Sequence, residues 1–101
     1  MREFLRGAVR LHILHHCARG EVHGAWMATE LAEHGYRISP GSLYPTLHKM
    51  ETEGLIRSHQ QVVNGRARRS YVATAKGRRT LESTKRQLRE LADEVLGDEA
   101  P

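Results

Sequence analysis

The sequence has a single cysteine, Cys17, which excludes an internal disulfide framework and suits a reducing compartment. It has no apolar run close to the roughly 20 residues of a membrane-spanning helix, and its first residues lack a secretory pattern. A cytoplasmic location is the expectation. Internal repeats and low-complexity segments are absent; only Gly-Asp-Glu-Ala-Pro at 97–101 reads as a loose tail. Catalytic signatures are missing too: there is no Gly-rich phosphate loop, nucleophile elbow or metal-protease histidine pair. Ser42 and His48 could be paired as nucleophile and base, but no acidic group is evident to orient the histidine. The chain therefore reads as a non-enzyme that needs no cofactor.

The most informative absence is local. Between residues 57 and 79 there is no Asp or Glu, while Arg57, Arg66, Arg68, Arg69, Lys76, Arg78 and Arg79 all fall there. Over the whole chain, 16 Lys+Arg against 12 Asp+Glu leave a net charge of +4, so distribution matters more than total. The acids gather at Glu51 and Glu53 and again near the C-terminus. Such a block suits a polyanionic partner; a solvated charged face is the plainer alternative.

Hydrophobic spacing then divides the chain. Phe4, Leu5, Ala8, Val9, Leu11, Ile13 and Leu14 predict a helix over 3–18, ended by Gly20. Gly24, Met27, Ala28 and Leu31 share a stripe that predicts a second helix over 24–34, closed by Gly35. A third begins at Ser39, a plausible N-cap, with Pro40 at the first helical position, where no amide donor is required. Leu43, Leu47 and Met50 face the core, and Gly54 terminates it. Two strand-like runs follow, joined by Asn64-Gly65, a strong hairpin signal. A two-residue turn there pairs Val63 with Arg66, Val62 with Ala67 and Gln60 with Arg69. Ile56, Val62, Ala67, Tyr71 and Ala73 then share one face, opposite Arg57, His59, Gln61, Arg66 and Arg68. Thr74 caps a last helix. The fold class expected is mainly α with a β-hairpin wing: a winged helix-turn-helix over 1–74, a C-terminal dimerisation helix over 75–96, and a flexible tail over 97–101.

In a helix-turn-helix the second helix of the pair enters the DNA major groove by its N-terminal part. That role accounts for the mixed character of "SPGSLYPTLHKMETEGLI" at 39–56. Opposite the apolar stripe lie Gly41, Ser42, Pro45, His48 and Lys49, with Tyr44 and Thr46 at the borders. Small residues at 41 and 42 admit close backbone approach to phosphate, and a helix N-terminus favours an anion. Pro45 is tolerable if regular helix begins at Gly41 or Ser42, because its missing donor then falls in the first turn. The candidate DNA-binding residues are thus Ser39, Gly41, Ser42, Tyr44, Pro45, Thr46, His48 and Lys49. Arg66, Arg68 and Arg69 join them from the hairpin, Arg69 from its opposite face.

The segments "HGAWMATEL" (23–31), "SPGSLYPTLHKMETEGLI" (39–56) and "GRARRSYVATAKGRR" (65–79) resemble the PadR family of bacterial transcriptional regulators. The likeness covers roughly residues 5 to 82. It implies a winged-helix homodimer that represses promoters and is released by a small ligand, often aromatic or cationic. The short C-terminal region is similar to the smaller subfamily, which has one dimerising helix. Two departures stand out. His23-Gly24-Ala25-Trp26-Met27 replaces the usual His-Gly-Tyr-Glu-Ile, and Ser70-Tyr71-Val72-Ala73 lacks a second aromatic and a leucine.

Dimerisation has its own signal. Leu81, Leu88 and Val95 recur every seven residues, with Thr84 and Leu91 between them, as in a short coiled-coil seam. The first helix is apolar round most of its circumference, Glu3, Arg6, Arg10 and Cys17 forming its polar strip, so it needs cover on more than one side. Phe4, Leu5, Leu11, Leu81, Leu88, Leu91 and Val95 are the candidate interface. His12 and His16 stand at i and i+4, a spacing able to chelate a transition metal, although no carboxylate lies nearby on that face of the helix. Hydrogen-bonded, partly buried histidines are the expectation, with no metal. His23 is expected to cap or bond locally at the second helix. Trp26, His12 and His15 are the candidate effector residues. A winged helix serving protein–protein assembly, or a metal-responsive regulator built on His12 and His16, are the alternatives.

Overall fold

Arg2–Arg19 forms the first helix, α1, in a computed structural model that describes residues 1–97. Val22–His23 follows as a short strand β1, then α2 (Gly24–Glu33), α3 (Pro40–Thr52), strands β2 (Ile56–Val63) and β3 (Arg66–Ala73), and α4 (Ala75–Gly97). Four helices and a three-stranded antiparallel sheet of order β1-β3-β2 make up the winged helix-turn-helix expected. The hairpin pairs in the expected register, Val63 with Arg66, Val62 with Ala67 and Gln60 with Arg69. Asn64 and Gly65 both take positive φ, 53° and 77°, the geometry of a turn whose twist matches the strands it joins.

One core joins all the elements. Ile13 and Leu14 of α1 meet Met27 and Leu31 of α2, Leu43, Leu47 and Met50 of α3, and Leu81 of α4. Ile56, Tyr71 and Ala73 close it from the sheet. Each fully buried Leu, Ile or Met contributes about 1.5–3 kcal/mol, so the α3 stripe alone strongly fixes the rotation of that helix.

The structure corrects the sequence-based expectations at six points. Strand β1 escaped them, because two residues show no periodicity; Val22 pairs with Tyr71 and His23 with Ser70. Cys17 does not belong to a polar strip: it is wholly buried, and burial pushes its thiol up to about 12. Pro45 lies beyond the first turn, since α3 begins at Pro40 and the Leu43 amide already bonds the Ser39 carbonyl at 2.8 Å. The Gly41 carbonyl thereby loses its usual helical donor, at an exposed position where solvent can replace it. Val62, assigned to the covered face, is 76% exposed. Strands of eight residues span roughly 26 Å, and the buried positions, Ile56, Ser70, Tyr71 and Ala73, all lie at the base of the hairpin. Leu81, assigned to the seam, is buried in its own domain. Gly97, assigned to the tail, is still helical, and 98–101 lie outside the described residues.

The wing and α4 are joined by a close junction. The Thr74 hydroxyl donates to the Gly54 carbonyl at 2.6 Å and accepts from the Gly77 amide at 3.0 Å, the N-cap bond expected of it. Gly77 is there for room: a Cβ would stand 2.9 Å from the Leu55 carbonyl carbon and overlap its oxygen. Beyond Leu81, α4 leaves the core, and Leu88, Leu91, Val95 and Leu96 are all exposed.

Candidate nucleic-acid interface

With Leu43, Leu47 and Met50 buried, α3 turns Gly41, Ser42, Pro45, His48 and Lys49 outward, all of them exposed. Ser39 sits at the cap without a side-chain bond to a first-turn amide; its hydroxyl lies 3.4 Å from that of Ser42. The expected capping residue is therefore right and its bond is missing. Thr46 is half-buried and donates its hydroxyl to the Ser42 carbonyl at 2.8 Å, so it faces a ligand as an acceptor. Tyr44 is anchored on the α2 N-terminus, where a Cβ on Gly24 would come within 2.9 Å of the Tyr44 Cε1. Its position on the helix border is thus set by the residue that opens α2.

Two carboxylates brace α3 from its flanks. Glu51 accepts from the Ser58 amide at 3.0 Å and from the Ser58 hydroxyl at 2.9 Å. Arg69 donates to that same hydroxyl at 3.1 Å, so the arginine expected to point the other way is tied into the strand–helix contact. Glu53 pairs with Arg10 of α1. Arg66 and Arg68, by contrast, make no side-chain hydrogen bond or ion pair among the described residues, and both stand exposed near the hairpin tip. On β2, His59 lies 2.7 Å from Glu21, which fastens the wing to the loop before β1. The buried Ser70 hydroxyl meets Nδ1 of His23 at 3.0 Å; this histidine bonds across the sheet and leaves the α2 cap without a side-chain bond.

This combination matches one family model, that of the transcriptional regulator PadR-like family, over residues 13–83. The chain belongs to that family. It is 63% identical, over 99% of its length and 94% of the relative's, to the transcriptional regulator Rv3488 of Mycobacterium tuberculosis. Among solved structures it resembles a PadR-like transcriptional regulator from Bacillus cereus, at 31% identity with 98% of each chain covered and a TM-score of 0.87. A PadR family transcriptional regulator from Eggerthella lenta is similar at 28% identity, covering 94% of this chain and 85% of that one, with a TM-score of 0.77.

Away from α3, this PadR-like regulator gathers aromatic and imidazole rings that lie far apart in sequence. The His12 ring lies 6.1 Å from that of His16, 4.9 Å from His34 and 5.2 Å from Tyr36. Trp26 sets its edge against His16 at 5.2 Å. Glu30 of α2 supplies a carboxylate 3.0 Å from His34 and 3.5 Å from His16. The hydrogen bonds expected of His12 and His16 are not made: among the described residues His12 Nδ1 and His16 Nε2 are buried without a hydrogen-bond partner. Burial lowers the His12 and His16 pKa values, with neighbouring imidazoles adding to it and Glu30 opposing. Among the described residues no three His, Cys, Asp or Glu side chains converge to hold a metal ion. His12 and His15 also line a groove of about 210 Å³ with Leu11, Leu81, Lys85 and Leu88, whereas Trp26 is not part of it.

Proposed function

We propose that the protein is a homodimeric repressor that binds an inverted-repeat operator through α3 and the hairpin wing. The observation that carries this reading is the arrangement of α3. Its apolar stripe is buried to the last residue, its other face is exposed and polar, and two arginines, unpaired among the described residues, extend on the wing beside it. Residues 1–74 are the DNA-binding unit and 75–96 the dimerisation helix, with Phe4, Leu5, Leu88, Leu91 and Val95 offered to the second copy; all five are large, apolar and exposed. Ser39, Gly41, Ser42, Tyr44, Pro45, Thr46, His48 and Lys49 read base edges and adjacent phosphates, while Arg66 and Arg68 take flanking backbone. Arg69 acts by holding Ser58.

A small effector releases the operator from the groove between α1 and α4. His12, His15 and Lys85 rim apolar walls there, which suits an aromatic ligand better than a cationic one. The protein acts in the cytoplasm, and no described helix is long and apolar enough to cross a membrane. Selection of bound fragments from random DNA tests the whole reading. The expected product is a two-fold symmetric consensus with half-sites about 10 base pairs apart. Recovery of no consensus, with no salt-sensitive binding, would favour protein–protein assembly instead.

A further inference from the structure

Cations occur on the other flank of α3 as well, where no feature of the 57–79 block places them. A groove of about 860 Å³ runs between the first half of α1, the α2–α3 loop and the exposed face of α3. Arg2, Arg6 and Arg10 line it from α1, Arg37 from the loop and Lys49 from α3. Among the described residues no acidic side chain lines it. Glu53 reaches only Arg10; among the described residues Arg2, Arg6, Arg37 and Lys49 have no ion pair. Arg2, Arg6 and Arg10 follow one another at four-residue intervals, so they form a row roughly 12 Å long on one side of α1. Tyr36 and Ile38, packed on the core, also line the groove and hold that side of it in place.

The two bracing carboxylates place this row relative to the wing. Residues 51 and 53 leave an α-helix roughly 160° apart. Glu51 contacts the wing strand through Ser58, and Glu53 contacts α1 through Arg10. The wing and the α1 arginines therefore stand on opposite flanks of α3. A helix lying in a major groove about 12 Å wide is bordered by two sugar–phosphate backbones, one on each side. Gly41, Ser42, Pro45, Thr46 and Lys49 belong both to the candidate recognition face and to the wall of this groove, so the two surfaces are continuous.

We infer that the α1–α3 groove is a second phosphate-binding surface, which holds the DNA backbone on the side of the major groove away from the wing. This inference rests on the DNA-binding reading of α3. Arg2, Arg6 and Arg37 carry the contact as free cations, and Arg10, already paired, positions α1 against α3. The test is a titration of Arg2→Ala/Arg6→Ala, Arg37→Ala and the charge-retaining Arg6→Lys. The probes are a duplex selected by the parent protein and an unrelated duplex, at several salt concentrations, with Arg68→Ala as the comparison. Each arginine–phosphate pair removed should lower the logarithmic salt slope by about 0.9 and weaken both duplexes roughly five- to tenfold near 0.1 M salt, and each substitution removes one pair from each protomer of the proposed dimer. Arg6→Lys should keep the slope. Because these side chains are exposed, unchanged circular dichroism and thermal melting are expected of every variant.

If the alanine variants bind with the parent slope while Arg68→Ala shows a reduced one, the groove is not a phosphate surface and the helix–wing reading survives. Variants that keep parental DNA binding but lose affinity for a small carboxylate such as benzoate would give the groove to a small anion, which equally overturns the inference. A parent protein without salt-sensitive binding to either duplex removes both readings.

Discussion

At the scale of single residues, the pairing state of each cation separates those that can reach a partner from those already occupied. Arg69 and Arg10 are held by Ser58 and Glu53, whereas Arg66 and Arg68 have no side-chain partner among the described residues. Replacing Arg68 by Ala should weaken binding to all sequences alike, by roughly 1–2 kcal/mol, with a shallower salt dependence. Lys49→Ala, on the helix, should instead reorder affinities among half-site variants; a titration across an operator panel compares the two. The partly buried imidazoles of α1 give a second expectation. The folded pKa values of His12 and His16 lie below the ordinary 6.5, so the unfolded chain takes up more protons in acid. Their neutral burial adds stability that is fully present above about 6.5. It declines as pH falls from there through the lowered folded values. Melting temperature should therefore decrease from pH 7.5 to 5, and the decrease should be smaller in His12→Gln/His16→Gln.

At the scale of elements, the sequence disclosed whatever has a period or a turn signature. The helices, the hairpin and its register were legible because 3.6-residue and two-residue repeats and Asn64-Gly65 are local signals. Contacts between elements were not. Strand β1 exists only because β3 offers it an edge, and the Glu30 carboxylate joins the histidines only once α2 packs on α1. Arg37 lies 35 positions from Arg2 and 31 from Arg6 in sequence, yet meets them in one groove. The exposed polar face of α3 followed from the helical wheel, yet the occupied hydroxyl of Thr46 and the anchoring of Tyr44 on Gly24 depend on packing in three dimensions. Gly77 is the clearest residue missed: nothing in its local sequence marks it as the position where α4 touches the Leu55 backbone. Gly77→Ala should destabilise the fold by about 2–3 kcal/mol, the scale of backbone-limited overpacking, as read by urea denaturation.

At the scale of the whole molecule, the chain measures 58 × 28 × 19 Å, and its length reflects an α4 that outruns the core. In the proposed dimer, Leu88, Leu91 and Val95 become covered. Leu88→Lys/Leu91→Glu should sediment as a folded monomer, since Leu81 keeps the domain core intact. An intact dimer in that variant would move the interface to another surface. The Thr74 junction has a consequence for how two such copies work together. It ties the start of α4 to Gly54, just past the end of α3, so in the proposed dimer α4 would act as a lever with its fulcrum at the wing base. A rod of 23 residues is roughly 34 Å long, and a swing of about 5° moves its far end by roughly 3 Å. That displacement is comparable to one base-pair rise, about 3.4 Å. A small wedge between α1 and α4 would thus put the two reading heads out of phase with the double helix. Thr74→Val should loosen the fulcrum, leaving single half-sites bound almost as before while blunting the discrimination between correctly and incorrectly spaced half-site pairs.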